Sequence, residues 1–103
     1  MARHLARMYC KPGCEQEYVE RHKAVFPDLL ESLKRVGVSE YSIFMKGTEL
    51  YAYMVADNYD QAMAELATDP ANMRWQAFML DVMVTDENGV LVEVIDNEVF
   101  YLK

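Results

Sequence analysis

The spacing of apolar residues changes period several times along this chain, and that succession limits the fold more than any single residue does. From 3 to 11 (RHLARMYCK) the residues alternate in twos, with Ala6, Met8 and Cys10 the better inward face, which reads as a first strand. Pro12-Gly13 breaks the extended run, and Glu15 and Glu17 then suit the positive end of a helix beginning near Cys14. Along it Tyr18, His22, Val25, Phe26, Leu29, Leu30, Leu33 and Val36 recur at three- and four-residue spacings, opposite Glu17, Glu20, Arg21, Lys23, Glu31 and Lys34. This stripe reads as the longest helix of the chain, and it carries a lone imidazole. Pro27 lies within it, lacks a backbone donor and crowds the preceding turn, which predicts a kink or a two-part helix ending at Gly37. Alternation returns over 39–46 and 49–57 around the turn Lys46-Gly47-Thr48, the pattern of a hairpin.

Helical signals then resume. Asn58, with Gln61 three residues on, resembles a capping box ahead of Tyr59 to Ala67, and Asp69-Pro70 repeats the start signal for a helix from Pro70 to about Met83. The two form one interrupted return crossover. The cluster Asp86-Glu87-Asn88-Gly89 is a turn, and VLVEVI with EVFYLK supplies a last strand or pair of strands. Strand, helix, strand, strand, helical segment, strand is the order of a split βαβ, an α+β fold of the ferredoxin-like kind, here as one domain over residues 1–103. Helices then cover one sheet face only. Because Tyr51, Tyr53 and Val55 stand opposite Leu50, Ala52 and Met54, both faces of the hairpin are apolar, which predicts a face-to-face homodimer in a dimeric α/β-barrel arrangement.

Composition removes several function classes. Seventeen acidic against ten basic residues, a net charge of -7, works against binding a phosphate backbone. No apolar run reaches the roughly 18 to 20 residues of a membrane span, and MARHLARMYC lacks the apolar core of a signal peptide, so a soluble cytoplasmic protein is expected. Cys10 and Cys14 have neither zinc-knuckle nor redox-pair spacing and read as reduced thiols. With His4 and His22 the only histidines and no HExxH sequence, a protein-built metal site is not expected.

Four positions separate Tyr18 from His22, so the two share one helix face and can enter one cavity. A histidine on an apolar face is more often a packing residue than a catalyst. Imidazole is nevertheless the side chain that gives and takes protons at comparable cost near neutral pH, as reversible proton transfer between oxygens requires. Tyr41, Tyr51 and Tyr53 each read first as sheet-packing aromatics, though Tyr41 stands at the start of its strand beside the loop that leaves the first helix. Trp75 is the only tryptophan and precedes Gln76. An aromatic ring beside amide, phenol and imidazole groups suits a sugar, whose C–H groups stack while its hydroxyls hydrogen-bond.

The segments YVERHKAVFPDLLESLKRVG, EYSIFM, TDPANMRWQAFMLDVM and the terminal EVFYL, in this order and at these distances, resemble the L-rhamnose mutarotase family over essentially the whole chain. The resemblance implies a dimeric ferredoxin-like domain that interconverts the α and β anomers of a free 6-deoxy sugar without a cofactor. It places His22 at the proton donor, Tyr18 and Tyr41 at substrate-binding tyrosines, and Trp75 at the first of two substrate-binding aromatics, whereas Gln76 replaces the second tryptophan. That exchange bears on sugar identity, L-rhamnose against L-fucose or another 6-deoxy hexose, more than on the reaction. From other classes stand a non-catalytic small-ligand-binding module, a cofactor-free oxygenase or lactone isomerase on a similar scaffold, and a plain dimerisation domain.

Overall fold

The computed structural model describes residues 2–103. Strand β1 (Ala2–Tyr9) is followed by helices α1 (Glu15–His22) and α2 (Pro27–Arg35), hairpin strands β2 (Val38–Lys46) and β3 (Glu49–Ala56), helices α3 (Tyr59–Ala67) and α4 (Pro70–Met79), the two-residue strands β4 (Thr85–Asp86) and β5 (Gly89–Val90), and β6 (Glu93–Ile95). The main sheet has the order β2-β3-β1-β6 with antiparallel neighbours throughout, the ferredoxin-like arrangement.

The Tyr18–Val36 stripe is two helices. Phe26 precedes a proline, which disfavours helical backbone there, and it sits extended (φ -55°, ψ 125°) as the N-cap of α2 with Pro27 at the first turn. His22 therefore ends a helix of eight residues, and the longest helix is instead α4, with ten. Gly37 closes α2 at φ 98°, a left-handed conformation that glycine adopts without steric cost. Leu30 of the stripe is exposed, whereas Leu29 is buried.

Helix α4 stops short of the expected Met83. Residues Leu80–Val82 tighten into a 3-10 turn, and Met83 leaves extended to form a bridge with Cys10, so a sheet-like partner wins over continued helix. Along this segment Trp75, Met79 and Val82 are buried, while Met73 and Phe78 are exposed. The core between sheet and helices joins Cys10, Tyr18, Leu29, Leu50, Trp75 and Met79, with Met8, Ile43 and Met45 packed against it. Ala6, Met8 and Cys10 thus do face inward, and Cys10 and Cys14 are both free thiols. EVFYLK forms no strand among the described residues. It runs on as a tail in which Arg3 pairs with Glu98 and stacks over the Tyr101 ring at 3.4 Å.

Both predicted caps form. The Asn58 side chain accepts from Gln61 N–H at 3.1 Å, and Asp69 Oδ2 accepts from Asn72 N–H at 3.0 Å. Asp69 Oδ1 also receives Ser32 Oγ–H at 3.0 Å and Arg35 at 2.6 Å, which ties the end of α2 to the start of α4. The Asn72 N–H, then Arg35 and Ser32, hold the Asp69 carboxyl below its ordinary value of 3.8. A depressed carboxyl adds stability above the unfolded value and loses it as pH falls through the folded one. The loss therefore lies below about pH 3.8. Urea unfolding followed down through this range should show a steeper fall for the parent than for Asp69→Asn, which keeps a cap acceptor but not the charge; parallel curves would contradict this role.

Candidate functional site

A cleft of about 450 Å³ opens between the sheet and the helices, within the range of small-molecule sites. Each wall comes from a different element. Helix α1 contributes Tyr18 and His22, β2 contributes Tyr41, Ile43 and Met45, α2 contributes Leu29 and Leu33, and α4 contributes Asn72, Trp75 and Gln76. All five residues singled out from the sequence, Tyr18, His22, Tyr41, Trp75 and Gln76, thus line one cavity. Strand alternation aims Tyr41 at the helices together with Ile43 and Met45, whereas Tyr51 and Tyr53 occupy the opposite register and stay out of the cleft.

Imidazole orientation follows from one hydrogen bond. His22 Nδ1 lies 2.9 Å from the carbonyl oxygen of Tyr18 one turn back. A carbonyl only accepts, so Nδ1 carries the hydrogen, and Nε2 is left to exchange a proton. Rings on either side hold this geometry. Tyr18 lies tilted against the imidazole at 4.3 Å between centroids, and Trp75 meets it edge-to-face at 5.3 Å while also meeting Phe26 at 5.0 Å. Trp75 is buried, so its ring supports the imidazole as well as lining the cleft.

The phenols are arranged to stay protonated. Burial, then the nearby Tyr41, pushes Tyr18 well above the ordinary tyrosine value, and desolvation followed by Tyr59 raises Tyr41. Both phenols are therefore neutral near pH 7 and available to hydrogen-bond rather than to act as bases. A polar relay on α4 adds a further element that sequence reasoning missed. Asn72 Nδ2 donates to the Leu66 carbonyl at 3.0 Å, which turns Asn72 Oδ1 towards Gln76 Nε2 at 3.4 Å and leaves Gln76 Oε1 to meet a hydroxyl donor. The four-residue spacing of Asn72 and Gln76 was the available signal. Much of the remaining lining is aliphatic, and it can receive a methyl group. Among the described residues, no three His, Cys, Asp or Glu side chains gather as they would around a metal ion, and no helix is long and apolar enough to cross a membrane.

This architecture has close relatives. The chain is 35% identical over 98 residues to the L-rhamnose mutarotase of Burkholderia cenocepacia, covering 94% of each. It is similar to the crystal structure of L-rhamnose mutarotase from Formosa agariphila, with a TM-score of 0.87, 32% identity and full coverage of both chains. A crystal structure of an antibiotic biosynthesis monooxygenase shares the fold alone, at TM-score 0.64 and 10% identity over 95% of this chain and 99% of that one. The family model described as L-rhamnose mutarotase matches residues 3–102, and with these relatives it establishes that the chain belongs to the L-rhamnose mutarotase family.

Proposed function

We propose that this protein interconverts the α and β anomers of L-rhamnose by opening and reclosing the pyranose ring through proton transfer alone. The carrying observation is the imidazole whose Nδ1–H is committed to the Tyr18 carbonyl and whose ring stands in a cleft shared by Tyr41, Trp75 and Gln76. Family membership supports the reaction and the sugar. Opening breaks the bond between C1 and the ring oxygen, so one proton must reach that oxygen and another must leave the anomeric hydroxyl. Protonated His22 supplies the first through Nε2 and takes it back on closure. Tyr41, whose phenol is held protonated, orients the anomeric oxygen while water accepts its proton. Rotation about C1–C2 then presents the other aldehyde face. Tyr18 donates to a sugar hydroxyl, Trp75 offers its ring, and Gln76 accepts a hydroxyl hydrogen.

Saturation-transfer NMR on L-rhamnose and L-fucose should show protein-dependent exchange, faster for L-rhamnose. Gln76 motivates L-fucose, or another 6-deoxy sugar, as the second reading, because an amide there reports hydroxyl configuration and these sugars differ at C2 and C4. Saturable binding without faster exchange of any of them would make the protein a binding module instead.

The same reading makes the protein a cytoplasmic homodimer acting as a single unit over its 103 residues. Support comes from apolar groups with nothing to cover them: Phe44 on the far sheet face is 66% exposed, and in the tail Val99, Phe100 and Leu102 are 88, 77 and 80% exposed. Light scattering at micromolar concentration should report a dimer, and Phe44→Glu should shift it to monomer. A monomeric parent would reject this assembly.

A further inference from the structure

Helix α1, which carries Tyr18 and His22, is held weakly by its own packing. Of its eight residues only Tyr18 is buried, and Cys14 at its N-cap makes no side-chain capping bond. Helical backbone also ends at His22 itself. A helix this short is not stable in isolation, so something must hold it in place.

Arg21 does so. Its side chain is only 13% exposed, so the structure corrects the sequence expectation that set it among the charged residues opposite the apolar stripe: three positions from the buried Tyr18, it turns inward onto the end of α4. Nε donates to Glu17 Oε2 at 2.7 Å, Nη1 to the Phe78 carbonyl at 2.7 Å and to Asp81 Oδ1 at 2.8 Å, and Nη2 to Asp81 Oδ2 at 3.2 Å. The guanidinium also lies 4.5 Å from the centre of the Phe78 ring. Phe78 is in the last turn of α4, where carbonyls lack helical partners and a cation is favoured. One side chain thus fastens the end of α1 to the end of the helix that presents Trp75 and Gln76. The two-pronged grip on Asp81 and the carbonyl needs a planar fork of donors, which lysine does not have.

We infer that Arg21 is a positioning residue for His22: it locks α1 against α4 so that the imidazole keeps its 5.3 Å edge contact with Trp75 and its 2.9 Å bond to the Tyr18 carbonyl. The inference rests on the reading of His22 as the proton-transfer group. Arg21 itself lies outside the residues lining the cleft, so its effect is on geometry rather than on sugar contact.

The test measures L-rhamnose exchange by saturation-transfer NMR in Arg21→Ala, Arg21→Lys, His22→Ala and the Arg21→Ala/His22→Ala pair, with ¹⁵N shifts of His22 read in the variants that keep it. Arg21→Ala should lower kcat by about 10²-fold, as small misplacements of reacting groups do, with KM changed less than about threefold. In the His22→Ala background the same substitution should change the rate by less than about twofold, because the group it positions is gone. Equal losses in both backgrounds would mark Arg21 as a merely structural residue and overturn the inference, as would a folded Arg21→Ala with parental kcat. If Arg21→Ala does not fold, Arg21→Lys and its pair with His22→Ala carry the same comparison. If the parent exchanges no anomers, the proposed function fails, and the imidazole shifts still decide about Arg21. The Nδ1-protonated tautomer should dominate in the parent and become mixed on loss of the fork, and an unchanged tautomer overturns the inference.

Discussion

His22→Ala should slow anomer exchange by about 10²- to 10⁴-fold, the span typical of general acid–base catalysis, while folding and sugar binding persist. The expectation comes from the single bond to the Tyr18 carbonyl, which occupies Nδ1 and leaves Nε2 free to exchange a proton. Alanine removes that atom and any path through it. His22→Gln is the sharper companion, since its amide can hydrogen-bond near the same place but does not titrate, and it should fall with alanine rather than with the parent. Circular dichroism should be unchanged in both, because the imidazole is only half-buried and its neighbours Tyr18 and Trp75 are packed independently in the core. A pure anomer of L-rhamnose equilibrating as fast with either variant as with the parent would remove His22 from the mechanism.

Leu50→Ala should cost about 2–5 kcal/mol of folding stability, a large share of the roughly 5–15 kcal/mol available to a domain. Leu50 has no exposed surface and sits on β3 between Met8 of β1 and Met45 of β2, facing the helices. It belongs to the same core as Trp75, Tyr18 and Leu29, so truncation opens a void where the sheet meets α1, α2 and α4. Urea unfolding should show a lower midpoint with an unchanged slope, since the surface exposed on unfolding hardly differs. A loss under about 1 kcal/mol would mean that the surroundings collapse into the void. Anomer exchange well below the midpoint should be retained, which separates this effect from that of His22.

How much of this was legible in the chain follows from the range of each interaction. Caps are local, and Asn58 and Asp69 could be recognised because each bonds a backbone group three residues away. Pro27 acts on its immediate neighbour, so the break in the stripe could be foreseen and its two-helix outcome stood among the expectations. Alternation puts Tyr41 in one register with Ile43 and Met45 but cannot by itself say what that register faces. Arg21 shows the limit. Its i+4 partner Glu17 can be read from spacing, whereas Asp81 is sixty residues away and nothing local announces the pair. The C-terminal end of α4 failed for the same reason, since the bridge between Met83 and Cys10 joins residues far apart in the chain. The tail has β-forming composition but pairs with no strand among the described residues, although β2 and β6 are edge strands of the sheet.

The place of β1 bears on how the protein is made. Its two neighbours are β3 and β6, so at Leu5 it pairs with both Tyr53 and Ile95, which lie far later in the chain. Loops this long must close before the contacts that stabilise them exist, which slows folding relative to a fold built from local pairs. During synthesis β1 therefore waits with one edge unpaired until β6 has been made. A nascent chain halted before Glu93 exposes that edge to any strand nearby, and the risk of mispairing ends only when β6 emerges.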